Sequence, residues 1–482
     1  MRRWVTVFLL SSAVIIAYLD RTNLSVALAA PDFKLYFQFT DQQRGFLNSV
    51  FFWSYTPLQI PAGLVIDRFG VKLPVALALV FWCLVSAGTS VTTVLWQLVA
   101  LRLLLGVGEA VVFPAGLSWI HRNMDEERRG FAAGIYVSAS KWGPAIAAPL
   151  AAWLVGHYGW RSMFLAVGLG GLLWLGPWLW LADEGARPSK RARRAAPAIP
   201  MAALLRSHII WGTLIGTFCY NYFLFFSITW LPAYFVERRN LSLDSMGIYT
   251  MFSFAGTGVV AILAGAAADW FIARGADAAF TRRAFTIAGL LAASTEVFGA
   301  LAESNQTAVF FALFSMAGLG LATANYWALT QTLVPRAAAG RVAGLQNTAL
   351  NLAGIVAPLV TGWLKQVTGS YTAPMQAIWV ALLLGVGAYV FLVRRRAAEP
   401  ILLDDLAGAS NSGAIAGAPG PLSAIATLRP AGASRHDLVP FATLTSVPFD
   451  KAQWEVRCVF GRTACTNEVI WHAVLERNIN PH

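Results

Sequence analysis

The chain alternates between long apolar runs and short breaks that are polar and mostly basic. Crossing the ~30 Å hydrocarbon core of a bilayer takes about 20 helical residues. Runs near that length recur at roughly 4–29, 46–66, 74–92, 94–119, 131–155, 162–182, 208–235, 246–272, 284–302, 307–333, 341–364 and 375–393. The pattern predicts an all-α membrane protein of twelve transmembrane helices. A Pro-, Ala- and Arg-rich stretch at 183–207 divides the spans six and six. The expected organisation is an N-terminal six-helix bundle over 1–182, a linker over 183–207, a C-terminal six-helix bundle over 208–398 and a tail over 399–482. The tail lacks a spanning run and is Gly/Ala/Pro-rich at 407–434. It is expected to be poorly structured, with at most a short helix or strand in WEVRCVFGRTACTNEVIWHAVLERN. The apolar run after Arg2 and Arg3 is too long for a cleaved leader and ends in YLDR rather than in small residues, so it reads as the first span.

Composition agrees: 57% of residues are hydrophobic and 12% are charged, a poor balance for a soluble globule. The net charge of +12 reflects which breaks are basic rather than a nucleic-acid partner. With both termini cytoplasmic, the inner breaks hold Arg2, Arg3, Arg68, Lys72, Arg122, Arg128, Arg129, six cations from Arg187 to Arg206, Arg274, Arg282, Arg283, Arg336, Arg341 and Arg394 to Arg396. The outer ones hold Lys34, Arg44, Arg161, Arg238, Arg239 and Lys365, so the split is 21 against 6. Positive residues stay inside, which supports this orientation. The linker is a solvated connection or a basic patch drawn to anionic lipid. Of the four cysteines, Cys83 and Cys219 lie in apolar runs as small core residues, while Cys458 and Cys465 fall in the tail and can pair. There is no metal-type cluster, no cofactor motif and no nucleophile motif, so the chain does not read as an enzyme.

The chemistry lies in the charges that interrupt the apolar runs. In RLLLGVGEAVVFP, Arg102 and Glu109 are seven residues apart and project from one helix face. Each costs roughly 2.5–3.5 kcal/mol at the bilayer centre, so the fourth span is expected to face a polar cavity, with Glu109 held near Arg102. Asp20 and Arg21 in the first span diverge by about 100° and need different partners, one toward a cavity and one toward a neighbouring helix; the plain alternative is a charged helix cap. Lys141, in SASKWGP of the fifth span, is a point charge suited to a carboxylate, or a lysine that snorkels or pairs structurally. The second half offers neutral groups beside rings: Tyr220, Asn221 and Tyr222; Asn325, Tyr326 and Trp327; Gln346, Asn347 and Asn351. These suit hydroxyls and a carbon skeleton. Glu296 in the ninth span has no partner legible in the sequence. Finally, GLVIDR after the second span, with Asp67 and Arg68, is echoed after the eighth by GAAAD with Asp269. Such acids can latch the halves together at the cytoplasmic end in one conformation and release them in another.

Twelve spans split six and six, with GLVIDRFGVK after the second, resemble the major facilitator superfamily. Within it, YLDRTNLSVA, FFWSYTPLQIPAGLVIDRFG, RLLLGVGEAVVFP and WLPAYF resemble the anion:cation symporter family of bacterial organic-anion transporters. The resemblance covers about residues 1–398. It implies two rocking bundles around one central site. Carried over by position, Asp20 and Glu109 match acids linked to proton coupling, Arg21 the cation that meets the substrate carboxylate, and Arg102 its basic partner in the fourth span. Tyr18, Tyr55, Trp327 and Asn347 match cavity-lining positions, with Asn221 beside them. Tyr220 stands where the vesicular glutamate branch carries Arg, which argues against that branch. Lys141 stands where sugar-acid carriers tend to have a neutral amide, which points to a second carboxylate or a different anion.

The expected function is proton-driven symport of a small organic anion, either a sugar acid (hexuronate, aldonate or aldarate) or an aromatic carboxylate such as phthalate, by a monomer in the lipid bilayer. A drug exporter of the same fold is the alternative. It is expected to have an apolar, acid-lined cavity, and Arg21 and Lys141 count against it.

Overall fold

A computed structural model describes residues 2–185, 201–334, 336–393, 427–430, 439–440 and 454–457. The expected spans appear as helices. The first is Arg2–Ala29, followed by a short connecting helix, Pro31–Phe37. The second is Asp41–Phe69, opened by a capping box in which Thr40 and Gln43 satisfy each other's backbone N–H groups. The third is Lys72–Gly88, and the fourth runs as Leu95–Glu109 and Val112–Asn123. The fifth and sixth are continuous in hydrogen bonding from Glu126, interrupted at Gly159, whose φ of 78° is open to a residue without a Cβ. This apolar stretch, Arg128–Leu181, is 54 residues long. At 1.5 Å per residue it would reach about 80 Å as one rod, far beyond a bilayer, so it supplies two crossings.

In the second half, His208–Thr229 is followed by a broken segment, Leu231–Ala233 and Tyr234–Arg238, and then by Leu243–Ala273. Ala278–Ser294 and Glu296–Leu301 form the ninth span; Asn305–Leu333, Arg336–Thr368 and Thr372–Gly387 are the last three. Among the described residues ten helices are long and apolar enough to cross a membrane. The 54-residue one counts twice, and Asp41–Phe69, polar at both ends, is the twelfth crossing. The protein is therefore an all-α membrane protein of twelve helices in two six-helix bundles.

Helices pack closely where glycine removes the Cβ. The halves meet chiefly through the second span against the eleventh and the fifth against the eighth. A Cβ on Gly45 would overlap the Pro358 carbonyl, and one on Gly247 would press on Pro149 and Ala152. Small residues at such crossings let backbones approach, because lipid supplies no hydrophobic drive for association.

The tail forms its own unit, Gly408–His482. Its described residues form three short antiparallel strands, β1 (Thr427–Pro430), β2 (Val439–Pro440) and β3 (Trp454–Arg457), in the order β2-β1-β3. Thr427 faces Arg457 and Pro430 faces Trp454. The strand Trp454–Arg457 falls within the stretch expected to hold at most a short helix or strand. Linker residues 186–200 and the pair Cys458 and Cys465 lie outside the described residues. Cys83 and Cys219 are free and buried.

Candidate functional site

The first span brings its polar turn into the middle of the N-terminal bundle. Asp20 and Arg21 are buried there, with Thr22 and Asn23 beside them. Arg21 donates from Nε to Glu109 Oε2 at 2.7 Å, and both side chains are buried. Three rings enclose the guanidinium: its carbon lies 4.6 Å from the Tyr18 ring centre, 4.5 Å from Phe51 and 4.6 Å from Tyr55. The spacing explains this cage. Tyr18 is three residues before Arg21 on the same helix face, and Phe51 and Tyr55 are four apart on the second span. Each ring face attracts the cation, by roughly 2 kcal/mol when water is excluded.

Asp20 turns the other way, as its 100° offset requires, and accepts a hydrogen bond from Ser86 of the third span. Arg102 donates to the Asp20 backbone carbonyl at 3.3 Å. The hydrogen-bond partner of Glu109 is thus Arg21 rather than Arg102. Seven residues place the two charges of the fourth span about 10 Å apart along its axis. Each therefore meets a different residue of the first span. The remaining oxygens, Asp20 Oδ2 and Glu109 Oε1, are buried without a hydrogen-bond partner among the described residues. A buried carboxylate oxygen without a donor is costly when charged.

Lys141 is buried and makes no ion pair among the described residues. Its Nζ lies 5.7 Å from the ring centre of Tyr220, across the interface between the halves. Tyr220 is fixed by a 2.7 Å hydrogen bond between its hydroxyl and Thr323, and its ring packs 4.7 Å from Tyr326, which in turn meets Trp327 at 5.5 Å. Asn221 is buried and donates to the Thr217 carbonyl. Asn347 donates across the halves to Gln59 of the second span. Beside it, Gln346 bridges Thr217 at 3.0 Å and Thr330 at 2.9 Å.

The structure thus joins Tyr18, Arg21, Tyr55 and Glu109 in one cluster, sets Asp20 and Arg102 against it, and places Lys141 on the aromatic wall of the other half. The acids proposed as latches lie apart from this cluster. Asp67 is 3.9 Å from Arg122, Asp269 bonds Arg282 at 2.8 Å, and Arg68 lies over Phe69. Each of these pairs stays within its own half. Three partners escaped the sequence reading: Ser86, Gln59 and Ser315. Ser315 donates to the buried Glu296 at 2.5 Å. Serine and glutamine are too common in helices to mark such partners before the helices are packed.

A cavity of about 20 Å³ lies between Arg21, Arg102 and Asn48 on one side and Phe225 and Thr229 on the other. That is room for about one water, whereas sites for small molecules run to ~300 Å³ or more. This cavity is too small to hold an organic solute.

Residues 10–358 match the Major Facilitator Superfamily. The chain belongs to this family. It is 30% identical over 417 residues to the D-galactonate transporter of Escherichia coli O6:H1, with 81% of this chain and 96% of the relative covered. It is 27% identical to the probable galactarate/D-glucarate transporter of Bacillus subtilis (strain 168), covering 81% and 92%. Among solved structures, a bacterial homologue of the human lysosomal transporter Spinster, inward-facing and occupied, superposes with a TM-score of 0.70 at 17% identity, covering 83% and 97%; at that identity it speaks for the fold alone. This Major Facilitator protein is a membrane transporter similar to the anion:cation symporters, and not an enzyme.

Proposed function

We propose that the protein imports a small organic anion, a sugar acid, by proton symport and alternating access across a bacterial inner membrane, acting as a monomer with both termini cytoplasmic. The observation that carries this reading is the charge balance at the centre. Arg21, Arg102 and Lys141 face only two acids, Asp20 and Glu109. One buried positive charge is left uncompensated: among the described residues neither Arg102 nor Lys141 has an ion pair, and while Arg102 is held by the Asp20 carbonyl, Lys141 meets the ring of Tyr220. Burying such a charge is expensive unless an anion joins it. The named relatives support a hydroxylated acid as that anion, and the neutral groups Asn221, Asn347 and Trp327 of the C-terminal half, with the Tyr18 and Tyr55 rings around Arg21, suit its hydroxyls and carbon skeleton.

In this scheme Arg21 exchanges Glu109 for a substrate carboxylate, and the freed Glu109 takes a proton. Asp20 is the second acid, and Arg102 holds the first span through the Asp20 carbonyl. Asp67, Arg68 and Asp269 serve the cytoplasmic gate, forming partners across the halves when that end closes. The deciding experiment is uptake into proteoliposomes of a panel containing D-galactonate, D-glucuronate, D-glucarate and phthalate, with an imposed proton gradient. Accumulation of a sugar acid that collapses with the gradient is expected. Accumulation that survives its collapse would remove proton coupling, and failure of every sugar acid would remove the substrate class.

Lys141→Ala provides a second test. A charge-assisted contact is worth ~1.5–3 kcal/mol, or about 10- to 100-fold. The half-saturation concentration is expected to rise by about that factor for the dianion glucarate, with a smaller rise for the monoanion galactonate. Equal rises for the two would show that Lys141 does not meet a second carboxylate.

A further inference from the structure

At the end of the bundle opposite Asp67 and Asp269, five charged side chains form a network that ties the halves together. The N-terminal half contributes Lys34, Asp41 and Arg44; the C-terminal half contributes Glu237 and Lys365. Lys365 Nζ is 2.7 Å from Asp41 Oδ1 and 2.7 Å from Glu237 Oε2. Arg44 is 2.8 Å from Glu237 Oε1 and 2.9 Å from Asp41, and Lys34 reaches Glu237 at 3.3 Å. Tyr371 donates to Glu237 at 2.8 Å, and the Asp41 backbone N–H donates to Gln366 at 3.0 Å, again across the halves. Trp230 floors the network, its ring 4.9 Å from the Arg44 guanidinium and 5.7 Å from Lys365.

Unlike ordinary surface pairs, the core of this network is shielded, with Arg44 1% exposed and Lys365 about 8%, while Lys34 at its edge is exposed. Shielded pairs are screened little by salt. Beneath it, Gly45 and Gly362 bring the second and eleventh spans into backbone contact. Arg44 also donates to the Leu28 carbonyl at 2.9 Å, gripping the end of the helix that carries Asp20 and Arg21. One turn inward, Asn48 donates to the Arg44 carbonyl and lines the small cavity beside Arg21. Access to the charged centre from this end therefore passes through the network.

We infer that Asp41, Arg44, Glu237 and Lys365 form the outer gate of the transporter, an ionic latch that must break before an anion reaches Arg21 from outside. Its outward assignment rests on the reading of cytoplasmic termini. Pairing in the closed state offsets the loss of hydration, and opening returns the charges to water, so the latch sits near balance and can cycle. Glu237 does not titrate near physiological pH. Burial opposes the charge on Glu237, but Arg44 and Lys365, with Lys34 behind them, outweigh it and hold the carboxyl down at about 2 against an ordinary 4.5. A carboxyl held low keeps its contribution above its ordinary value and loses it only as pH falls through about 2, so between about pH 5 and 8 the charge on Glu237 is constant.

The test places one cysteine, Asn48→Cys, in a chain whose four native cysteines are alanine, and measures its labelling by a membrane-impermeant maleimide on intact cells. Lys365→Met and Glu237→Gln are expected to raise the labelling rate about 10-fold, the effect of ~1.4 kcal/mol on the open fraction, while Lys365→Arg stays near the parent. Rates equal to the parent in both neutral variants, or acceleration only in inside-out vesicles, would overturn the proposal. A second arm is independent of those variants' folding: Asp41→Cys and Gln366→Cys joined by a bifunctional thiol reagent should stop D-galactonate uptake, with recovery on reduction. Uptake unchanged by the cross-link would also overturn the latch. If the parent chain takes up no galactonate, the substrate reading has failed instead, and the labelling result still decides the gate.

Discussion

Arg21→Ala is expected to lower sugar-acid uptake by about 100-fold or more. The guanidinium makes one charge-assisted hydrogen bond to Glu109 and faces three rings, and a carboxylate that replaces Glu109 would inherit the same contacts. A loss of ~3 kcal/mol from these terms corresponds to about 100-fold. Arg21→Lys keeps the charge but loses the planar fork and its stacking, so it should also be severely impaired. The substitution has a second consequence. Removing one partner of a buried ion pair strands the other, at ~3–5 kcal/mol, so Arg21→Ala should also lower thermal stability in detergent. The double variant Arg21→Met with Glu109→Gln separates the two effects: stability should return toward the parent while uptake stays lost. Recovery of uptake in the double variant would show that Arg21 serves only to neutralise Glu109, and wild-type uptake in Arg21→Ala would remove it from the site.

Helices and polar interruptions were legible in the chain because hydropathy acts locally. Every expected span has its helix, and the offset between Asp20 and Arg21 correctly implied separate partners. What was not legible depends on which helices become neighbours. Arg102 and Glu109 share a face, and that much follows from spacing; that Glu109 bonds Arg21 follows only once the first and fourth spans are packed. Ser86 and Gln59 were hidden for the same reason. The outer latch is a different case. Arg44 and Lys365 were visible as cations on the side where positive residues are scarce, and Asp41 and Glu237 lie close to them in sequence or in span order. Charge on the disfavoured side was itself a signal, but it served only to decide orientation.

Glu109→Gln is the substitution that separates binding from coupling. The amide keeps the shape of the side chain and can still accept from Arg21 Nε, yet it cannot take up or release a proton. Glu109 is fully buried, one oxygen bonds Arg21 and the other has no partner among the described residues. Burial favours the neutral acid and the neighbouring guanidinium favours the carboxylate, so displacement of Arg21 by substrate shifts the balance toward protonation. In the native protein, uptake should therefore rise as the outside pH falls, because the loaded form needs the proton. In Glu109→Gln that dependence should flatten, and accumulation against a gradient should fall to near equilibrium. Exchange of labelled for unlabelled substrate should continue, since an exchange cycle returns a loaded site and needs no net proton movement. The measurement is paired: net uptake and counterflow of D-galactonate in the same proteoliposomes at two outside pH values. Concentrative uptake at the native level would remove Glu109 from coupling and leave Asp20, with its own unpartnered oxygen, as the acid to replace next. Loss of exchange along with net uptake would instead make Glu109 part of the binding surface, because a site that cannot hold the anion fails in both modes.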